Sequence, residues 1–216
     1  MEPIVPEAVD AYLTELAREQ HEDPVLQEME QRALRLGFPI IDRAVGRFVE
    51  LQARAIGARR VFELGSGFGY SAYWFARAVG EDGEVTCTDL DAENVSEAER
   101  LLGHAGLWER VTFHVGEAGA ALAATTGDFD IIFCDADKEH YGDHWRAACE
   151  RIRLGGLWIC DNTLWSGRAA TGEPSPDYPG STEGIREHNR LIAQDRRYVS
   201  SIVPIRDGVM VALRIS

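Results

Sequence analysis

Val61-Phe62-Glu63-Leu64-Gly65-Ser66-Gly67-Phe68-Gly69-Tyr70-Ser71 is the stretch on which the fold turns. A short apolar run suited to a buried strand meets three glycines on alternate positions, and an apolar helical segment, 70–79, follows at once. Strand, glycine-rich turn and helix in that order form the ligand-binding corner of an open α/β sheet. Glycines 65, 67 and 69 let the backbone turn sharply and pass close to a ligand. The spacing is G-x-G-x-G, with no third glycine two intervening residues after the second, so the dinucleotide fingerprint is not met and a pyrophosphate cradle is the weaker reading.

Outward from that corner the pattern repeats as short apolar runs separated by amphipathic segments, the mark of a parallel sheet covered on both faces. Strands are expected at 61–64, 84–89, 111–115, 129–135 and 157–160, and helices at 70–79, 92–104, 117–124 and 141–153. A loop rich in Gly, Pro, Ser and Thr runs to about Ser181, and a helix through Arg186, Asn189 and Leu191 follows. Two β-rich runs, 198–205 and 209–215, joined by Arg206-Asp207-Gly208, form a hairpin that makes one sheet edge antiparallel. Before the first strand the chain is helical: Val9, Leu13 and Leu16 share one face, Asp23-Pro24 opens a second helix that Gly37 ends, and a third runs from about Ile40 to Gly57. This reads as one domain, with 1–58 a helical cover and 59–216 the cofactor- and metal-binding core.

Asp89 closes the second strand 24 residues after Gly65, the distance at which an acid meets a ribose hydroxyl pair. Asp91 suits a helix cap instead. The fourth strand ends in Cys134-Asp135-Ala136-Asp137-Lys138 and the fifth in Cys160-Asp161-Asn162. Neighbouring strands lie about 4.8 Å apart, which brings Asp135, Asp161 and Asn162 within reach of one ion. Oxygen ligands, few in number, suit Mg²⁺ first and Mn²⁺ or Ca²⁺ next. Lys138 is the only lysine beside 21 arginines. A nearby cation would depress its pKa and make it a base, a role closed to arginine. His140 and His144 are read as a solvated helix face, and His21, His104, His114 and His188 as isolated structural residues.

Twenty-two Lys and Arg against 36 Asp and Glu give a net charge of −14, which argues against nucleic acid and anionic membrane as partners. Cysteines 87, 134, 149 and 160 have no C-x-x-C spacing and read as small buried hydrophobes. The N-terminus lacks a basic and then apolar leader, and no stretch approaches the roughly 18 apolar residues of a membrane span. A cytoplasmic protein is expected.

The segments VFELGSGFGYSA, FDIIFCDADKEHY, GGLWICDNTLWSG and IVPIRDGVMVALR resemble the cation-dependent class I O-methyltransferases. The chain is similar to the caffeoyl-coenzyme A and bacterial catechol-type enzymes from about Phe38 to its end, with the mammalian catechol enzyme a more distant relative. The resemblance implies a Rossmann-like, seven-stranded, mostly parallel α/β sheet with an antiparallel last strand, helices on both faces and an N-terminal helical extension. It implies S-adenosylmethionine as cofactor and, as activity, methylation of one hydroxyl of a vicinal diphenol of catechol, caffeoyl or flavonoid type.

Carried over, Glu63, Gly65, Gly67, Tyr70 and Ser71 would hold the methionine part of the cofactor. Asp89 would hold the ribose, Gly116, Glu117 and Ala118 would border the adenine, and Asp135 would face both cofactor and metal. Asp135, Asp161 and Asn162 would bind Mg²⁺, Lys138 would be the base, and Phe38 and Trp165 would wall the substrate pocket. A homodimer is expected. The stretch Gly37-Phe38-Pro39-Ile40-Ile41-Asp42 leading to Gly46-Arg47 departs from the more usual Ser-Pro and Gly-Gln pattern. A nicotinamide-dependent oxidoreductase and a non-catalytic cofactor-binding protein are the alternatives from other classes.

Overall fold

The computed structural model describes residues 6–19 and 23–216; His21 lies outside them. Three helices come first: α1 (Glu7–Glu19), α2 (Pro24–Leu36) and α3 (Arg43–Ala55). Asp23 accepts a hydrogen bond from the Val25 N–H at 2.8 Å with Pro24 behind it, and Gly37, left-handed at φ 62°, ends α2. Asp42 caps α3 through the Val45 N–H, also at 2.8 Å.

Strand and helix then alternate as β1 (Arg60–Leu64), α4 (Tyr70–Val79), β2 (Glu84–Asp89), α5 (Ala92–His104), β3 (Val111–Val115), α6 (Ala118–Ala124), β4 (Phe129–Cys134), α7 (Tyr141–Ala148) and β5 (Ile152–Cys160). After β5 come a short helix, α8 (Arg168–Thr171), then α9 (Ser181–Gln194), β6 (Tyr198–Val203) and β7 (Val209–Arg214). The seven strands form one sheet in the order β3-β2-β1-β4-β5-β7-β6. β1 to β5 are mutually parallel, and β7 runs antiparallel to both β5 and β6. The Rossmann-like, mostly parallel sheet with an antiparallel last strand is therefore present.

Successive strand residues point to opposite faces, and each face has its own core. Val61, Val85, Ile131, Phe133 and Ile159 pack with α2, α3, α4 and α5. Phe62, Leu64, Ile132, Trp158 and Met210 pack with α6, α7 and α9. Because Leu26, Met29, Val45 and Val49 belong to the first core and are fully buried, the N-terminal helices share the apolar interior of the sheet. Charged ties reinforce the join: the Tyr70 hydroxyl donates to Glu30 at 2.9 Å, Arg43 donates to the same carboxylate, and the Tyr73 hydroxyl donates to Asp23. No helix among the described residues is long and apolar enough to cross a membrane.

Helices 70–79 and 92–104 and strands 84–89 and 111–115 have the expected bounds. The helix expected at 141–153 stops at Ala148 instead, and β5 starts at Ile152, five residues before the expected strand. The reason is non-local. The guanidinium of Arg151 donates to the carbonyls of Leu122 and Gly127, and its own carbonyl accepts from the Phe129 N–H, so the chain is pulled onto β4 just where the helical period would continue. A register shift then absorbs residues 153–156, where a Cβ on Gly156 would lie 2.8 Å from the Asp130 carbonyl oxygen.

Candidate active site

β1 and β4 are the strands between which the order reverses, and the crevice beyond their C-terminal ends is where open α/β sheets bind ligands. The first strand delivers Glu63, which is fully buried. Its Oε2 accepts from the Ser66 hydroxyl at 2.6 Å and from the Cys87 thiol at 3.3 Å, but Oε1 has no partner. Burial pushes its pKa up to about 7 against these hydrogen bonds and one from Ser71, with the charge of Asp135 adding to the rise.

The glycine turn is held from two sides. The Gly65 N–H donates to Thr88 Oγ1 at 3.1 Å and the Gly67 N–H to Asp89 Oδ2 at 3.0 Å. Gly65 has φ 83°, and a Cβ there would stand 2.8 Å from the Asp135 carbonyl oxygen, so the end of β4 can lie against the turn only because residue 65 has no side chain. The Phe38 ring covers Gly67 and packs on Phe68, 5.1 Å between centroids. Phe38 thus sits over the glycine turn, in the linker between α2 and α3. The Tyr70 hydroxyl is committed to Glu30, which leaves its backbone for the turn.

Asp89 accepts at Oδ1 from Asn94 and from the Asp91 N–H, and Asp91 caps α5 through the Glu93 N–H. The next strand end brings up residues 116–118, tied by the Gly116 N–H to the Asp89 carbonyl at 2.9 Å. The Glu117 side chain caps α6 through the Gly119 and Ala120 N–H groups, which lower its pKa, so residues 116–118 face this corner with backbone. Leu90, 72% exposed between two aspartates, supplies an apolar surface beside it. Its signal in the sequence was an apolar residue isolated at a strand end.

β4 and β5 are in register at Cys134 and Cys160, and the Asp161 N–H donates to the Cys134 carbonyl. Asp135 and Asp161 therefore leave adjacent strand ends side by side. Lys138 Nζ reaches Asp135 Oδ1 at 2.7 Å. Burial works to lower the Lys138 pKa, but with no cation at the site Asp135 outweighs it and the value is raised. Asp161 is 1% exposed; its Oδ1 is without a partner, and burial with the adjacent Asp135 charge raises its pKa to about 7. Asn162 follows with a left-handed backbone, φ 56°.

Among the described residues no three of His, Cys, Asp and Glu converge as a metal cluster. The donor set here is two carboxylates and an amide, oxygen donors suited to a hard cation that completes its shell with water or substrate oxygens. The orphaned Asp161 oxygen fits that role, as a buried acceptor without a donor is costly to leave so.

Trp165 stands beyond Asn162 with its Nε1 buried and unpartnered and its ring 5.7 Å from that of Tyr178. Two histidines differ from expectation. His144 is buried on α7 and desolvation lowers its pKa, so only His140 lies on the solvated face. His188 is fully buried and far from isolated: its Nε2 accepts from Trp158 Nε1 at 3.0 Å, Asn189 is on its other nitrogen, and Asn189 donates to the Thr163 carbonyl at 2.8 Å. That chain of bonds supports the segment after Asp161 from below. Nothing in the sequence marked it. Cys87, Cys134, Cys149 and Cys160 are buried free thiols.

A sheet of this order with a glycine turn and acids at its switch point defines the class I, Rossmann-like type of methyltransferase. The match to the O-methyltransferase family model covers residues 13–215, and the chain belongs to that family. A caffeoyl-CoA O-methyltransferase of Mesembryanthemum crystallinum is 31% identical over 180 residues, 79% of this chain and 71% of that protein. The O-methyltransferase from Bacillus cereus, solved in complex with SAH, superposes with a TM-score of 0.85 at 28% identity, covering 96% of this chain and 97% of that one. TomG from Streptomyces achromogenes, solved with SAM, gives 0.84 at 27% identity over 97% and 96%. Membership of this family sets aside the nicotinamide alternative.

Proposed function

We propose that the protein transfers the methyl group of S-adenosylmethionine to one hydroxyl of a vicinal diphenol, assisted by a divalent cation, Mg²⁺ foremost. One observation carries the reading: Glu63 and Asp161, two buried acids each with an unpartnered oxygen, flank the Asp135–Lys138 pair at the switch point. Glu63 Oε1, buried and without a donor beside the glycine turn, takes the α-ammonium of the methionine moiety in this reading. Asp89 receives the ribose hydroxyls, and residues 116–118 with Leu90 border the adenine. The SAH and SAM bound by the two structural relatives support S-adenosylmethionine as cofactor, and the name of the Mesembryanthemum enzyme supports a caffeoyl-type diphenol as substrate.

Asp135, Asp161 and Asn162 would hold the cation, which when bound supplies positive charge that acidifies a neighbouring phenol and competes with Lys138 for Asp135. In the reaction the S–CH3 bond breaks as the O–CH3 bond forms, and the proton of the attacking hydroxyl passes to Lys138 Nζ. Lysine accepts only as the free amine, so the transfer needs the Asp135 carboxylate engaged elsewhere. Phe38 and Trp165 close the sides of the substrate space, and excluding water favours a step in which phenolate and sulfonium charges neutralise.

The test is incubation with S-adenosylmethionine and a panel of catechols, caffeoyl esters and flavonoids, with Mg²⁺ or with chelator, read by mass spectrometry. Methylated product should form only with the metal. Lys138→Ala and Asp161→Ala should each lower kcat by about 10²-fold or more while cofactor still binds by calorimetry. Full turnover in chelator, or in either variant, rejects the assigned roles.

A further inference from the structure

β6 ends at Val203, two residues short of the expected strand, so five residues, 204–208, join it to β7 with Arg206 at their centre, and that turn is sewn to the chain just after Asp161-Asn162. Thr163 donates to the Gly208 carbonyl through both its N–H, at 2.9 Å, and its hydroxyl, at 3.0 Å, and the Leu164 N–H donates to the Asp207 carbonyl. On the other flank, Arg206 Nη1 donates to the Ile40 carbonyl at 2.7 Å and Nε lies 3.9 Å from Asp42 Oδ2. The side chain therefore bridges the gap between the loop that carries Asn162 and the linker that carries Phe38, the two walls of the proposed diphenol pocket.

Two features set Arg206 apart from a plain strap. Its φ is 51°, a left-handed backbone that glycine adopts without strain and an arginine does not. Observed strain of this kind at a site points to a use for the side chain. Arg206 also belongs to a group of cations at this end of a strongly acidic protein: the charges of Arg206 and Lys138 both act on Asp161, and those of Arg206, Lys138 and Arg168 on Asp207. The side chain is 42% exposed, and the Ile40 bond on Nη1 and the longer Asp42 ion pair at Nε leave the Nη2 donors able to meet a ligand.

We propose that Arg206 is a specificity-determining residue that selects diphenols bearing a carboxylate on the ring or its side chain, receiving that carboxylate at the pocket mouth. The inference rests on the diphenol reading above. A planar guanidinium matches a carboxylate in geometry as well as charge, whereas a neutral or cationic side chain would gain nothing there.

The experiment compares kcat/KM for caffeate with that for its uncharged methyl ester, and for 3,4-dihydroxybenzoate with that for catechol, in the wild-type protein, Arg206→Gln and Arg206→Lys. Wild type should favour the carboxylate of each pair. Arg206→Gln should lower that preference about tenfold, equivalent to about 1.4 kcal/mol, with the change carried by KM, while Arg206→Lys, which keeps the charge but loses the planar fork, should fall between Arg206→Gln and wild type. A mere strap would move both members of a pair together and leave the ratio untouched. An equal ratio in all three proteins, each folded by circular dichroism, overturns the proposal. Absence of product from catechol and methyl caffeate as well as from the acids overturns the diphenol reading itself, and this proposal with it.

Discussion

Glu63→Gln should make the protein more stable at alkaline pH and worse at holding its cofactor. The carboxyl is fully buried, and its pKa stands at about 7 against 4.5 for the ordinary group. The folded state thus holds the Glu63 proton more tightly than the unfolded chain does. The contribution of Glu63 to stability is greatest below pH 4.5 and declines as pH rises to about 7, at roughly 1.4 kcal/mol per unit, or about 3 kcal/mol in all.

Glutamine does not titrate and is nearly isosteric with the protonated acid. It keeps an acceptor for Ser66 but places an amide N–H2 among groups that offered the carboxylate donors, a fixed cost of about 1–3 kcal/mol. That cost is the same at every pH, so the decisive quantity is the change in the stability difference, variant minus wild type, between pH 5 and pH 8. It should move in favour of the variant by about 2.5 kcal/mol, seen in urea unfolding, or as a relative gain of roughly 5–10 °C in Tm. S-adenosylmethionine binding by calorimetry at pH 8 should weaken by about tenfold or more, because a charge-assisted bond is lost. A stability difference that stays flat from pH 5 to 8 would show that Glu63 is ionised without strain in the folded protein and would refute the argument.

His188 works in the opposite sense. Burial lowers its pKa from 6.5 to about 4, so the stability due to the neutral ring is complete above pH 6.5 and is lost, by about 3 kcal/mol, as pH falls towards 4. His188→Gln can still accept from Trp158 and does not titrate; its urea midpoint should gain on wild type as pH drops, and parallel curves would contradict this. Gly46→Ala should destabilise by about 1–3 kcal/mol through overpacking, since its Cβ would lie 2.2 Å from Trp74 Nε1 where α3 crosses α4. A Tm indistinguishable from wild type would mean that the helices slide apart freely.

The sequence exposed those parts of the fold whose signals are local. The strand-turn-helix at 61–79 was legible because periodicity and glycine punctuation change within a few residues. The Asp91 cap and the Asp23-Pro24 helix start were legible for the same reason. The end of α7 was not: the amphipathic period continues past Ala148, and the bonds from Arg151 to the end of α6 and the loop after it, more than 20 residues earlier, stop the helix. The candidate site divides in the same way. Asp135, Asp161 and Asn162 could be brought together from strand ends alone, because parallel neighbours fix their spacing. That Glu63 Oε1 and Asp161 Oδ1 lack donors, or that His188 supports Thr163 through Asn189, depends on side chains meeting across the sheet and has no one-dimensional trace.

Departures from ordinary backbone rules gather in one region. Asn162, Trp165, Ser166 and Arg206, the non-glycine residues with left-handed backbone among those described, all lie in the loop after β5 or in the turn sewn to it. The unpartnered Glu63, Asp161 and Trp165 atoms border the same end of the sheet, whereas Arg32 Nε, Arg47 Nε and Trp74 Nε1 lie apart on α2, α3 and α4. Each such feature costs of order 1–3 kcal/mol, in a protein whose net stability should be about 5–15 kcal/mol. The two apolar cores must offset that sum, and their fully buried Trp74, Trp158, Phe62, Phe75 and Phe133 are where the offset resides. A folded chain that holds acceptors without donors and backbone against its preference is prepared for ligands that supply the missing partners. Binding a cationic group at Glu63 and a divalent ion at Asp161 would relieve those terms together, so affinity for the two ligands should be coupled through Asp135, which stands between them.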